Sequence, residues 1–194
     1  MKLLHLDASS LGKHSVSREL TATIVDGLKQ SQHGLEVTYR DLAAQPLPHW
    51  APVADANSEG ATLGQAALDE FLAADVIVIG APMYNFSIPS QLKAWIDRIM
   101  VAGTTFRYGA NGPEGLAGGK RVIIASSRGG MYGSDSGRAN LDFQEPYLRA
   151  VLGFIGITDV EFVRAEGLNM SPEHKTTALA SAHSSIGGLV AKAA

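Results

Sequence analysis

The chain has 194 residues, 45% hydrophobic and 18% charged, with a net charge of −3, an ordinary composition too weakly charged for a nucleic-acid surface. It contains no cysteine, which excludes disulfides, thiolate nucleophiles, iron–sulfur clusters and cysteine-bound zinc. No apolar run approaches the roughly 18 residues of a membrane span, so a single cytoplasmic domain covering residues 1–194 is expected.

Strand and helix patterns alternate along the chain. Lys2–Asp7 reads as a short apolar first strand rather than a secretion signal. Ser15–Gln30 reads as a helix, with Leu20, Ile24 and Leu28 spaced by four on one face. Leu35–Arg40 alternates like a strand near a sheet edge. A Pro-rich segment follows, Ala43–Gly60, long enough to suggest a functional loop or flap. Ala66–Ala74 reads as a helix, and Asp75–Gly80, with Val76–Ile79 unbroken, as a strand buried on both faces. Pro89–Val101 is amphipathic, with Leu92, Trp95, Ile96 and Ile99 on one side. Arg121–Ser126 is a second buried strand, Glu145–Ile155 an apolar helix and Val160–Ala165 the fifth strand. Ser171 and Pro172 occupy cap and first-turn positions of a last helix. Five strands separated by helices predict an α/β fold with a parallel sheet in the order 2-1-3-4-5.

In open sheets of this kind ligands bind beyond the carboxyl ends of the strands, at the switch point. Three loops there have unusual compositions. Ser9–Ser17 leads into a helix, whose free N–H groups and partial positive charge, with the hydroxyls of Ser9, Ser15 and Ser17, suit a phosphate. Lys13, His14 and Arg18 lie nearby and are candidates to add charge. A serine before a helix is also a common cap. Ala81–Pro89 gathers Met83, Tyr84, Asn85 and Phe86, apolar walls and an amide for a flat heterocycle; core filling is the plainer reading of Met83 and Phe86. In Ser127–Tyr132, adjacent Gly129 and Gly130 permit close backbone approach, though a plain turn needs them too. Together the three loops supply a phosphate grip, an apolar slot and donors for a polar ring edge, the contacts that flavin mononucleotide (FMN) requires. Gly119-Lys120 lacks the first glycine and the Ser/Thr of a P-loop and precedes a strand. The six histidines form no close metal pair, and Gly133–Gly137 has Asp135 where a nucleophile elbow needs serine. No metal and no catalytic side chain are therefore assigned.

Longer segments carry a family resemblance: Arg40–Ala43, Ala81–Phe86, Thr105–Tyr108 with Asn111–Gly115, Ser127–Gly130 and Leu152–Val160. In these, and in their order over nearly the whole chain, the sequence resembles the FMN-dependent NADH:azoreductases, also described as NAD(P)H:quinone oxidoreductases. The resemblance implies a flavodoxin-like three-layer sandwich and transfer of two electrons from NADH or NADPH, through FMN, to quinones and azo compounds. It implies that Ser9, Ser15, Ser17 and the Val16 backbone hold the phosphate, and that Met83–Phe86 line the ring with Asn85 near its reactive nitrogen. It places Ser127, Arg128, Gly129 and Gly130 at the polar ring edge and Tyr108 and Phe154 around a substrate pocket, with Tyr132 a further substrate contact. It also implies a homodimer with the site at the subunit interface. Donor and acceptor sharing one flavin face imply ping-pong kinetics.

Two other readings of the residues stand beside this one. A one-electron carrier of the same fold is usually more acidic and needs no pocket such as Phe106, Tyr108 and Phe154 suggest. A phospho-accepting receiver needs an acidic cluster at the strand ends, where Asp7 is alone because the third strand ends Gly80-Ala81-Pro82.

Overall fold

The computed structural model describes residues 1–52 and 57–191. A parallel sheet of five strands runs in the order β2-β1-β3-β6-β7, formed by β1 (Lys2–Asp7), β2 (Glu36–Asp41), β3 (Val76–Pro82), β6 (Arg121–Ser127) and β7 (Asp159–Ala165). This is the expected order, with two further strands in between. These are β4 (Phe106–Gly109) and β5 (Gly112–Gly115), an antiparallel hairpin outside the main sheet that the sequence reading did not separate.

Alternation along each strand sorts the core into two layers. Leu4, Leu6, Ile77, Ile79, Val122 and Ile124 face one way. They are covered by α2 (Glu59–Ala73), α3 (Ser90–Ile99) and α4 (Glu145–Phe154). Leu3, Val76, Val78, Ile123 and Ala125 face α1 (Val16–Ser31) and α5 (Pro172–Ala191). Covered on both sides, β3 is buried at every residue, which is why its apolar run is unbroken. Trp95 of α3 is almost fully buried and meets Phe71 of α2 edge-on, 5.9 Å between ring centres. The Leu20, Ile24, Leu28 stripe of α1 is buried as its spacing requires.

One boundary moves. α2 begins at Glu59 rather than Ala66, with Ser58 capping the Ala61 N–H. The connection after β2 is correspondingly shorter than Ala43–Gly60, and residues 53–56 of that expected flap lie outside the described residues. In its described part Leu42 and Leu47 are buried, and Arg98 of α3 donates to the Pro48 and His49 carbonyls. Among the described residues no helix is long and apolar enough to cross a membrane.

The functional consequence of the topology is directional. β1 connects to β2 on one side, and the chain then returns to place β3 on the other side of β1. The loops after β1 and β3 therefore diverge and leave a crevice at their carboxyl ends.

Candidate functional site

The loops that follow β1, β3 and β6 close on one cleft of about 180 Å3. Its walls include Ser9, Ser15 and Val16 from the first loop, Met83 and Tyr84 from the second, and Ser127, Arg128 and Gly129 from the third. Three sequence segments up to 120 residues apart are thus neighbours, as the strand-end argument requires.

The first loop is built around uncharged donors. Ser15 caps α1, its hydroxyl accepting the Arg18 N–H at 3.3 Å and lying 3.0 Å from the Ser17 hydroxyl. Ser9, Ser15 and Ser17 are all buried. The N–H groups of Val16 and Ser17 stand in the first turn, where a helix makes no internal bond to them. Arg18 does not add a free charge here. Its guanidinium grips Asp41 through two 2.7 Å bonds and donates to the Ser9 carbonyl at 2.8 and 3.2 Å. It braces the loop from behind. That bond from Arg18 holds the Asp41 carboxyl down to about 2. Tyr39, also bonded by Arg18 and donating to Asp7, is pushed up to about 12, first by burial and then by the Asp7 charge. His14 joins the cleft wall from a 3-10 turn, Gly12–His14.

The second loop carries backbone strain. Asn85 and Phe86 have φ of +48° and +71°, and Tyr84 and Ser87 exchange both backbone bonds across them at 2.9 and 3.0 Å. This is a two-residue reversal of the primed kind. Asparagine tolerates the left-handed region, but phenylalanine there is an outlier. The turn leaves the Phe86 ring 43% exposed. The Tyr84 hydroxyl reaches across to the first loop, accepting the Ser10 N–H at 3.1 Å and meeting the Ser9 and Ser10 hydroxyls. Burial pushes this phenol up, and those hydrogen bonds outweigh it and bring it down.

The third loop rests on Arg128, whose side chain is 1% exposed. Its guanidinium meets Asp142, Glu145 and Glu166 at 2.9, 2.8 and 3.0 Å. Glu166 in turn accepts the Tyr132 N–H at 3.0 Å, which fixes the chain beyond the glycines. The Tyr132 ring meets Phe86 edge-on at 6.1 Å, so the second and third loops also touch. A Cβ on Gly129 would stand 2.7 Å from Asn169, whose N–H bonds the Gly129 carbonyl. A side chain at Gly129 would displace the Asn169 amide in the turn after β7. Gly130 faces the next cleft along the sheet.

Leu168, Asn169 and Lys175 also line the first cleft, and sequence reading missed them. The signal was topological: they follow β7, at the same carboxyl edge as the three loops.

The structure does not bring Tyr108 and Phe154 to this cleft within one chain. Gln144, just before α4, donates to the Ala81 carbonyl and pairs with Ser126, anchoring the start of α4 at the carboxyl edge. Phe154 ends that 10-residue helix, about 15 Å away along its axis. There it packs on Phe106 of β4, 4.9 Å between ring centres, with Tyr108 on the other side at 5.7 Å. Tyr108 is 76% exposed.

Comparison with known proteins agrees with this architecture. The family described as having a flavodoxin-like fold matches residues 1–189. An FMN-dependent NADH:quinone oxidoreductase of Bradyrhizobium diazoefficiens is 59% identical, over 94% of this chain and 95% of its own length. A protein of that name from Rhizobium meliloti is 55% identical, over 96% of this chain and 95% of its own length. Among solved structures, an azoreductase from Bacillus anthracis has 26% identity and a TM-score of 0.90, covering 99% of both chains. An FMN-dependent NADH-azoreductase from the same species, in complex with FMN, has 25% identity and a TM-score of 0.89 over 100% of this chain and 99% of that one.

Proposed function

The chain belongs to the family of flavodoxin-like fold, and on that premise we propose that it is an FMN-dependent oxidoreductase. It passes two electrons from NADH or NADPH to quinones and reductively cleaves azo compounds. One observation carries the reading: three strand-end loops meet at one cleft, which is lined by the buried Ser9 and Ser15 and by Met83 and the half-buried Tyr84, with the exposed Phe86 two residues beyond on the same loop.

The residues fit the cofactor. Ser9, Ser15, Ser17 and the first-turn N–H groups are neutral donors at a helix N-terminus, a setting that holds phosphate well. Met83, Tyr84 and Phe86 would wall the ring, Asn85 would offer it an amide, and Ser127–Gly130 would hold its polar edge. Tyr84 and Arg18 bond the first loop from opposite sides and preorganise the grip. FMN, when bound, would supply the two-electron chemistry between donor and acceptor.

The overall change balances as NADH, quinone and one proton giving NAD+ and hydroquinone. Azo cleavage to two amines takes four electrons and therefore two cycles. Donor and acceptor would share one site in turn, which gives ping-pong kinetics.

The displaced aromatic pair supports a homodimer. Phe154, half-buried, and Tyr108, largely in solvent, lie an α4 length from their own cleft, so they contribute to a substrate pocket only from a second copy. Sedimentation of the protein as a dimer, reverting towards monomer in Tyr108→Asp, is the expected result.

The direct test is purified protein with NADH, a water-soluble quinone and no partner protein. Steady NADH consumption is expected. Electron flow only after adding a separate reductase would favour the one-electron carrier instead.

A further inference from the structure

A second cleft, of about 590 Å3, opens on the other side of the Gly129–Gly130 turn. We infer that it receives the adenosine-diphosphate half of the reduced nicotinamide donor. The inference rests on the function proposed above and extends it to a site of its own.

The argument begins with position. Gly129 lines the first cleft and Gly130 the second, and consecutive Cα atoms stand about 3.8 Å apart. A donor with its nicotinamide over the first cleft needs to cross only one residue of wall. The volume also lies within the roughly 300–1,000 Å3 of small-molecule sites.

The lining chemistry suits a purine joined to a pyrophosphate. Met131 and Met170 are 42% and 54% exposed, and their sulfurs converge over Gly167, where a Cβ would meet them at 3.1 and 3.2 Å. Two thioethers side by side make an apolar, polarisable bed for an aromatic base. Arg138 stands at the rim, exposed, and its guanidinium has no hydrogen-bond or ion-pair partner among the described residues. Such a cation answers a pyrophosphate with paired donors. The rim is built before any ligand arrives: Ser136 donates to the Gly133 carbonyl at 2.7 Å and accepts the Arg138 N–H at 3.1 Å.

Two carboxylates also line the cleft. Glu166 is answered by Arg128 and the Tyr132 N–H, and Asp135 is bonded by the Ser134 hydroxyl. Arg138 is the lining charge left without a partner among the described residues.

The test uses the FMN-loaded protein and three probes: NADH, reduced nicotinamide mononucleotide, which lacks the adenylate half, and ADP-ribose, which lacks the nicotinamide. Arg138→Gln should raise the KM for NADH and the calorimetric Kd for ADP-ribose about tenfold, the scale of a lost charge-assisted bond. The KM for reduced nicotinamide mononucleotide should stay unchanged. Met170→Glu, in the thioether bed, should weaken the same two ligands and again spare the mononucleotide. Unchanged NADH and ADP-ribose values in both variants, or an equal shift for the mononucleotide, would overturn the assignment. Failure of the proposed function is distinguishable, because then neither reduced donor is oxidised by the unmodified protein.

Discussion

Two arginines hold the two ends of the main cleft, and they do so differently. Arg18 sits behind the Ser9–Ser17 loop, the proposed phosphate end, with its side chain 16% exposed, matched to one carboxylate by two bonds and tied directly to the Ser9 carbonyl of the loop. Arg128 belongs to the third loop, the proposed ring end; its side chain is 1% exposed among three carboxylates and ties to the chain beyond the glycines through Glu166. The first pair lies where solvent screens it, so it trims the geometry of a few residues. The second is almost fully buried, so removing it strands the charges of Asp142, Glu145 and Glu166 at the start of α4 and the end of β7. The comparison separates what holds the fold from what shapes the binding loop.

The largest expected effect tests the buried end. Arg128→Met should lower the unfolding free energy by about 3–5 kcal/mol, the cost of leaving a buried ion cluster without its partner. A loss under about 1 kcal/mol in denaturant titration would mean that the cluster is not closed to water. Ser15→Glu comes next and acts at the phosphate end alone. Like charges there should weaken FMN binding roughly 100-fold or more, while loss of the cap costs only about 1 kcal/mol of stability. FMN content equal to wild type in that variant contradicts the phosphate placement.

Arg18→Met sharpens the contrast further. It should weaken FMN roughly tenfold through a looser loop, leave riboflavin binding nearly unchanged, and cost little global stability. Equal weakening of FMN and riboflavin would point to a general packing role. The same brace has an acid signature. The Asp41 carboxyl titrates near 2 when bonded to Arg18, against 3.8 when free. Its contribution is therefore complete above about 3.8 and disappears as pH falls through about 2. Asp41→Asn should lack this component of acid-induced FMN release. The smallest effect concerns the strained turn between the two ends. Phe86→Gly relieves a left-handed φ of +71° and should raise the unfolding free energy by up to about 1 kcal/mol, while NADH–quinone turnover falls because a ring wall is gone.

Sequence made the sheet legible because β1, β3 and β6 are short apolar runs with covered faces. The β4–β5 hairpin was not, since Phe106–Gly115 is mostly exposed and carries glycines and a proline in place of alternation. The first turns of α2 were hidden by Gly60, Thr62 and Gly64, poor helix formers; of these Gly64 packs closely, since a Cβ there would press Arg98 at 3.2 Å. At the site, the three loops were readable from strand-end position and residue type. The part played by Arg128 was not, because its partners Asp142, Glu145 and Glu166 are distant in the chain. Arg18 was noticed as a nearby cation, but only the fold shows that Asp41 already holds its charge.

The visible absorption spectrum of the purified protein, recorded without oxygen before and after NADH, tests the central claim most directly. Oxidised flavin bands at one FMN per chain, bleached by NADH alone, are the predicted result. A well-folded sample that stays colourless after incubation with FMN, or keeps its colour when NADH is added, contradicts the account.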